Sequence, residues 1–489
     1  MIGITAYGGY VPRQRLSRQA AAQANAWYAP QFAGRKGHRA FAHWDEDSIT
    51  MAVAAARDCL GPATAHGRSG VRALLLVSNT LPFAERLNAG VVAGALALDE
   101  SIEAMDLGGT QRAALSAITQ AVAGVQAGGG DALVLAADTR RTRAASAQEL
   151  EYGDAAAAIR LGNEGVLAEY LGSASVTADF VDRFRASGED VDYHWEERWV
   201  RDEGISKLVP RAVKAALAQA KVQAADVAHF IFPSTFAKMD QQLAKACGLP
   251  ADSVVPNLND VIGDSGLPHG LLLLAQVLER AQPGELIVLA QFGSGAQALV
   301  FRATEAVQGF KPARGVSQWL ARGVEDLHYT RFLSFKGQLQ LERGMRGEAD
   351  RKTALSTAWR HHEALQGLVA GRCEVTGSVH FPPSRLSYDA QPLQDTQKPH
   401  PLADRPARIL SWSAEYLSWH PAPPHHYGQI DFEGGGRILM DFTDLEVGEV
   451  DAGTPMEMVF RIKDLDERRG FTRYFWKATP VRGAAPAAA

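Results

Sequence analysis

Two stretches of this chain repeat one element order, and that repetition leaves few folds open. In Met105–Asp138, MDLGGTQRAALSAITQAVAGVQAGGGDALVLAAD, a strand end meets a Gly108-Gly109 turn. Small and apolar residues then recur at helical spacing from Ala113 to Val125, and a glycine run leads into the apolar strand Ala132–Ala137. A second apolar run, AAAAIRLG at 155–162, follows. Further on, GLLLLAQVLERA at 270–281 passes through PGE into LIVLAQFG and then AQALVFRAT. The same helix-strand-strand order twice over predicts an internal duplication. The strands are continuously apolar rather than alternating, which predicts a parallel sheet covered by helices on both faces.

The remaining elements before residue 304 fit that plan. IGITAYGGYVP opens the chain as a strand ending in a turn, and Arg13–Ala24 is expected to be a helix. DEDSITMAVAAARDCL at 45–60 places acidic residues and a serine ahead of apolar helical spacing, the favourable end for negative charge. The strand ALLLVSN at 73–79, a Pro82 turn and a helix over Ala89–Ala97 follow.

A length of 489 residues suffices for two or more domains, each with its own core. A net charge of −5 argues against a general nucleic-acid or anionic-membrane surface, so no nucleic-acid partner and no membrane are expected. Cys59, Cys247 and Cys373 are too few and too scattered for a disulfide framework, and no apolar run approaches the ~20 residues of a spanning helix. A cytoplasmic protein is the expectation, with the tail GAAPAAA frayed.

Gln111 is the position on which the chemistry turns. It precedes the 113–125 helix, where unpaired backbone N–H groups and the helix dipole favour a thiolate or a developing oxyanion. The residue there is a carboxamide. Asp106 and Asp138 end apolar strands and read as turn or cap residues, Asp154 as a turn residue supporting the site, and Cys247 as core.

Several stretches taken together, IGITAYGGYVPRQRL, DEDSITMAVAAA at 45–56, SNTLPFA at 78–84, AADT at 136–139, EYGDAAAA at 151–158 and FGSGA at 292–296, carry a resemblance. Over about 1–304 the chain resembles the 3-hydroxy-3-methylglutaryl-CoA synthase family of the thiolase-like superfamily. The resemblance implies an α/β fold of duplicated βαβ units in α-β-α-β-α layers, an acyl-CoA substrate and a carbon–carbon bond made or broken beside a thioester. It also implies a cysteine nucleophile, a glutamate acid/base and a histidine, and these columns fall on Gln111, Asn79 and Pro233. An amide has no accessible pKa, so neither acylation at Gln111 nor proton transfer by Asn79 is available.

The oxyanion-stabilising part survives in the backbone at 111 and the turn Gly293–Gly295. Arg112, Asp260, Asp264 and His269 are the remaining polar candidates, the family's asparagine falling on either Asp260 or Asp264. His269 opens an apolar helix and is read both as a structural residue and as a proton carrier. The stretch DYHWEERWVRDEG at 192–204 reads as a solvated helix, or as the substrate entrance through Tyr193, Trp195 and Arg198.

Past 305 the composition becomes polar, with RGEADRKTALSTAWRHHEAL expected as an exposed helix of a linker. Short β-rich segments then suggest a small barrel. Residues 367–480 resemble the acyl-CoA-associated OB-fold family, which implies a zinc ribbon of four cysteines. RCEVTG at 372–377 and FPPSRLSYDA at 381–390 keep only Cys373, and the spacing of His361, His362 and His380 matches no standard zinc site, so neither a metal nor another cofactor is expected.

The expected organisation is two thiolase-like halves over 1–170 and 171–304, a linker over 305–366, and a degenerate zinc ribbon with an all-β OB-fold barrel over 367–489. The expected function is acyl-CoA carbon–carbon chemistry without a covalent intermediate, the alternative an acyl-CoA-binding scaffold. A homodimer follows from the resemblance alone.

Overall fold

The computed structural model describes residues 1–62, 68–345, 347, 353–388 and 393–482. The start of the expected 346–365 helix, the end of the 381–390 stretch and the tail 483–489 lie outside the described residues.

Nine strands form the central sheet: β1 (Gly3–Tyr10), β2 (Val71–Val77), β3 (Glu103–Leu107), β4 (Asp131–Thr139), β5 (Asp154–Gly162), β6 (Ala168–Thr177), β7 (Val227–Ile231), β8 (Leu286–Phe292) and β9 (Gly295–Ala303). Their order is β7-β8-β9-β6-β1-β5-β4-β2-β3. Only Gly3 and Ile4 pair β1 to β6, so the sheet is two half-sheets joined at one end. The duplication is visible in the pairing. β4 and β5 are antiparallel neighbours, as are β8 and β9, and β2 and β7 run parallel to β4 and β8. Val254, bridging Phe230 in parallel, takes the place beside β7 that β3 takes beside β2. The sheet is therefore mixed, which corrects the expectation of a parallel one: β9 returns from β8 through Gly293 and Ser294 alone, and the β4–β5 connection, which holds only the short helix Ala147–Glu151, brings β5 back antiparallel beside β4.

The helices complete five layers. Ala113–Gln126 packs on β4 and β5 and also on β9, while His269–Leu278 packs on β1 and β5 and also on β7 and β8. Each lies between the half-sheets. That explains why Leu271, Leu272, Leu273 and Leu274 are all fully buried: a helix covered on every side is apolar on every side. Ser48–Leu60 covers the outer face of the first half, and Ser206–Ala220 that of the second. Ser48–Leu60 starts at a capping box, Asp47 accepting from Thr50 N at 2.9 Å while Asp47 N donates to Thr50 Oγ1 at 2.8 Å.

The expected helix over 13–24 is divided into a strand, Gln14–Ser17, and a helix, Arg18–Ala24. That strand pairs with His38–Ala40 on one side and with Val324–Asp326 on the other, and a partner 310 residues away leaves no local signal. The helix Tyr329–Phe335 docks nearby, placing the Lys336 ammonium on the buried Asp154 carboxylate. The exposed helix expected toward residue 365 is two short ones, Leu355–Arg360 and His362–Gly367.

Beyond residue 400 a five-stranded antiparallel sheet forms from β10 (Ala407–Glu415), β11 (His425–Phe432), β12 (Arg437–Asp441), β13 (Pro455–Asp466) and β14 (Phe471–Pro480), in the order β12-β11-β10-β13-β14. It curls until Phe442, just past β12, bridges Ala478 of β14 in the parallel sense. HHYGQIDF in β11 alternates between half-buried and buried residues, as a strand with one face on a core requires. Among the described residues no helix is long and apolar enough to cross a membrane.

Candidate functional site

A cavity of about 550 Å³ opens where β2, β3 and β4 end. Its floor is the turn Leu107–Gln111, its sides the loop Ser78–Ala84, the β8–β9 turn at Gly293 and Ser294, and the segment Asp138–Arg141, and a hairpin around Arg183 and Asp192 lies across it.

The floor is built by close approach. A Cβ on Gly293 would stand 2.9 Å from Gln111 N and 2.8 Å from Thr110 Oγ1, so only glycine lets the turn sit on the start of the Ala113–Gln126 helix. Gly293 O then accepts from Thr110 Oγ1 at 2.8 Å and from Arg112 Nε at 3.1 Å. Asn79 Oδ1 accepts from Gly109 N at 2.9 Å, tying the two walls together, and the Arg185 guanidinium donates to the Asn79 carbonyl. Gln111 Oε1 is buried and accepts no hydrogen bond from the described protein atoms.

The acidic residues of the walls hold the fold. Asp138 accepts from Asn79 N at 2.8 Å, Ser78 Oγ at 3.0 Å and Thr80 Oγ1 at 3.1 Å, and burial raises its pKa. Asp106 accepts from Asn88 N and Ala89 N and so caps the helix Asn88–Ala95. Asp154, expected in a turn, is instead the first residue of β5, where it accepts from Ala42 N at 2.7 Å and Arg140 N at 2.9 Å and braces the cavity wall. Asp192 bridges Arg140 and Arg185 at 3.3 Å each; burial would raise its pKa, but the cations of Arg140, Arg183 and Arg185 bring it below the ordinary carboxylate value.

Of the candidates read from the sequence, Gln111, Asn79 and Gly293 line the cavity, and the others do not. Arg112 is spent on Gly293 O, on Thr177 Oγ1 at 3.1 Å and on Gln297 Oε1 at 3.4 Å. Gly295 stands behind the turn with φ +111°, where a Cβ would strike Val176 O. His269 is fully buried: Nδ1 accepts from Ser265 N at 3.0 Å and Nε2 donates to Asn257 O at 2.7 Å, and burial lowers its pKa. Both nitrogens are committed, one to a loop amide and one to a loop carbonyl. Asp264 pairs with Arg140 at 3.0 Å and accepts from Gly266 N; burial acts to raise its pKa, and Arg140 and His269 outweigh it. Asp260 is on the surface, paired to Arg18 at 3.0 Å. Tyr193, Trp195 and Arg198 are exposed and line no part of the cavity.

The residues that do line it, and that the sequence reading passed over, are Arg140, Arg141, Arg183, Arg185 and Asp192. The strands Arg183–Phe184 and Tyr193–His194 pair antiparallel, so neighbours alternate between faces: Phe184 and Tyr193 put their rings together at 5.2 Å, and His194 reaches Tyr152. Reading DYHW as a strand with period two, rather than as a helix, would have picked out Asp192 and His194.

Near the start of the C-terminal region, Cys373 Sγ lies 3.2 Å from Thr396 Oγ1 and is also hydrogen-bonded by Thr376 and Ser387. Neutral hydroxyls surround the thiol, and they do not fit the thiolate and imidazole set that holds zinc. Among the described residues no group of three or more His, Cys, Asp and Glu side chains is placed to hold a metal ion.

No protein-family model matches the chain. Over 69% of its length it is 29% identical to the hydroxymethylglutaryl-CoA synthase of Aeropyrum pernix, covering 94% of that protein. Over 70% it is 27% identical to the same enzyme of Caldivirga maquilingensis, covering 99%. Among solved structures, MvaS in complex with 3-hydroxy-3-methylglutaryl coenzyme A superposes with a TM-score of 0.57 at 20% identity, over 68% of this chain and 91% of that one. An HMG-CoA synthase complexed with CoA gives 0.58 at 16%, over 72% and 94%. The fold is thiolase-like, and over about 70% of its length the chain is similar in sequence to hydroxymethylglutaryl-CoA synthases.

Proposed function

We propose that this protein binds an acyl-CoA thioester in the cavity above Gln111 and makes or breaks a carbon–carbon bond beside the thioester without forming an acyl-enzyme. The observation that carries the proposal is the pairing of a cavity of about 550 Å³ with two carboxamides, Gln111 at the start of the Ala113–Gln126 helix and Asn79 on the loop after β2. The relatives named for hydroxymethylglutaryl-CoA support the substrate class. A carboxamide cannot be acylated at neutral pH, but its N–H groups and the helix amides suit a thioester oxygen that gains charge as an enolate forms. A retro-aldol cleavage of a β-hydroxyacyl thioester, or its reverse, needs no covalent adduct and fits this set.

The C-terminal sheet, with its order β12-β11-β10-β13-β14 and parallel closure at Phe442, supports an OB-fold reading of that region. The free outer edge of β3 supports a homodimer joined through it, testable by light scattering of the eluted protein. The hydroxyl set around Cys373 supports a protein without zinc, and one equivalent found by elemental analysis would overturn that.

The test is a panel of acyl-CoA and β-hydroxyacyl-CoA esters with mass detection of products and of the intact protein. Cleavage or condensation with no mass added to the 105–120 peptide is expected, and an adduct mapped to Gln111 would sink the mechanism. A second reading, a non-catalytic acyl-CoA-binding scaffold, is favoured by the commitment of His269 and Asp264 to structural bonds. It predicts tight ester binding with no turnover.

A further inference from the structure

A carbon–carbon step needs a proton to move, and the groups first expected to move it are bound up in the fold. A different pair stands beside the cavity, lining a small recess that adjoins it rather than the cavity itself. Tyr152 Oη and His194 Nε2 are 2.5 Å apart, and Arg183 donates to the phenol oxygen at 3.3 Å. The Arg140 guanidinium lies over the same ring, 3.1 Å from its centroid.

The phenol is held where it is by backbone as well as by side chains. Tyr152 bridges Asp264 in parallel, and this crossing is so tight that a Cβ on Gly153 would stand 1.9 Å from Ile262 O, and one on Gly263 2.4 Å from Tyr152 O. His194 comes from the opposite side, on the short hairpin that crosses the cavity. Beside the two residues lies a recess of about 60 Å³, lined by Tyr152, His194, Asp192 and Arg141, and the last two also line the main cavity. It has room for a water molecule or a substrate hydroxyl.

We propose that Tyr152 is the catalytic proton carrier of this site and that His194 is the positioning residue behind it. The inference rests on the function proposed above. In the cleavage direction the β-hydroxyl of a β-hydroxyacyl thioester gives its proton to Tyr152 Oη as the phenol proton passes to His194 Nε2. The former O–H electron pair forms the C=O bond of the leaving ketone or aldehyde. The Cα–Cβ bond breaks, and its pair is taken up by the thioester as an enolate, its oxygen facing the amide donors at Gln111. The imidazolium then returns the proton through Tyr152 to Cα, giving the shortened acyl thioester, with no net change in protons or electrons.

The surroundings set the resting protonation of the pair. Burial, with Arg183 and Arg140, pushes the His194 pKa down to about 4, so its ring is a neutral acceptor at pH 7. Burial also raises the Tyr152 pKa and keeps it a phenol at rest, while the same two arginines favour the phenolate it must approach in transfer.

The experiment uses the full chain and measures turnover of the panel esters, together with deuterium uptake at Cα of the product acyl-CoA in heavy water. Tyr152→Phe is expected to lower kcat and α-exchange by about 100-fold or more, with ester binding by calorimetry unchanged. His194→Gln keeps an acceptor for the phenol but cannot take its proton, so it is expected to show the same loss with an unchanged melting temperature. An active wild type whose two variants keep full kcat overturns the inference. A wild type that binds CoA esters but neither turns them over nor exchanges the α-proton overturns it too and leaves the binding reading standing. A protein that binds no CoA ester overturns both.

Discussion

Gln111 shows how one side chain changes what a retained backbone can do. The residue stands before Ala113–Gln126, an environment that lowers the pKa of a thiol. Gln111→Cys should therefore gain an acyl adduct from acetyl-CoA, read by intact-protein mass, while the wild type gains none. Histidines set a second residue-scale expectation. Burial, aided by nearby cations, holds His194 and His420 at about 4, below the ordinary 6.5. The unfolded chain takes up these protons as pH falls through about 6.5, and the folded chain refuses them until about 4. Stability should thus be level above about pH 7 and fall steadily as pH drops across that window, which melting temperatures through a pH series would check.

Among the elements, the short helix Tyr329–Phe335 has an influence out of proportion to its length. It carries Phe332 onto Phe41 and Arg39, and Lys336 onto Asp154, the carboxylate that also fixes Ala42 N and Arg140 N. Lys336→Met removes the counter-charge of a fully buried aspartate and should cost about 3–5 kcal/mol of stability in denaturant titrations. Adding Asp154→Asn should recover part of the loss, because the uncompensated charge is then gone. The segment 305–366 read as a polar linker in sequence, and its apolar anchor Phe332 gave no periodic signal in so short a helix.

For the whole molecule, the decisive contact is a buried ionic cluster between the thiolase-like layers and the C-terminal sheet. Asp45, with no exposed surface, accepts from Lys477 Nζ at 2.8 Å and Thr443 Oγ1 at 2.9 Å, and pairs with His43 at 2.7 Å. Arg461 joins Glu46 at 3.0 Å and Asp444 at 2.9 Å, and Tyr474 donates to Asp47 at 2.6 Å. Such a junction makes the two regions unfold together. Asp45→Ala leaves Lys477 buried without its partner and should destabilise by about 3–5 kcal/mol, and calorimetry should show one transition for the wild type and two for the variant.

What the sequence determined by itself was whatever repeats locally. Continuous apolar strands, the doubled helix-strand-strand order and the glycines around Gln111 report on short-range periodicity and turn geometry, and so the thiolase-like layers and the floor of the cavity were legible. Tertiary structure decided the rest. Whether His269 faces a cavity or a loop carbonyl depends on where Asn257 comes to lie, and the strand Gln14–Ser17 exists because Val324–Asp326 arrives to pair with it. The proton-carrying pair shares this origin: Tyr152 and His194 lie 42 residues apart, and a hydrogen bond between them follows from a crossing hairpin, not from any spacing written in the chain.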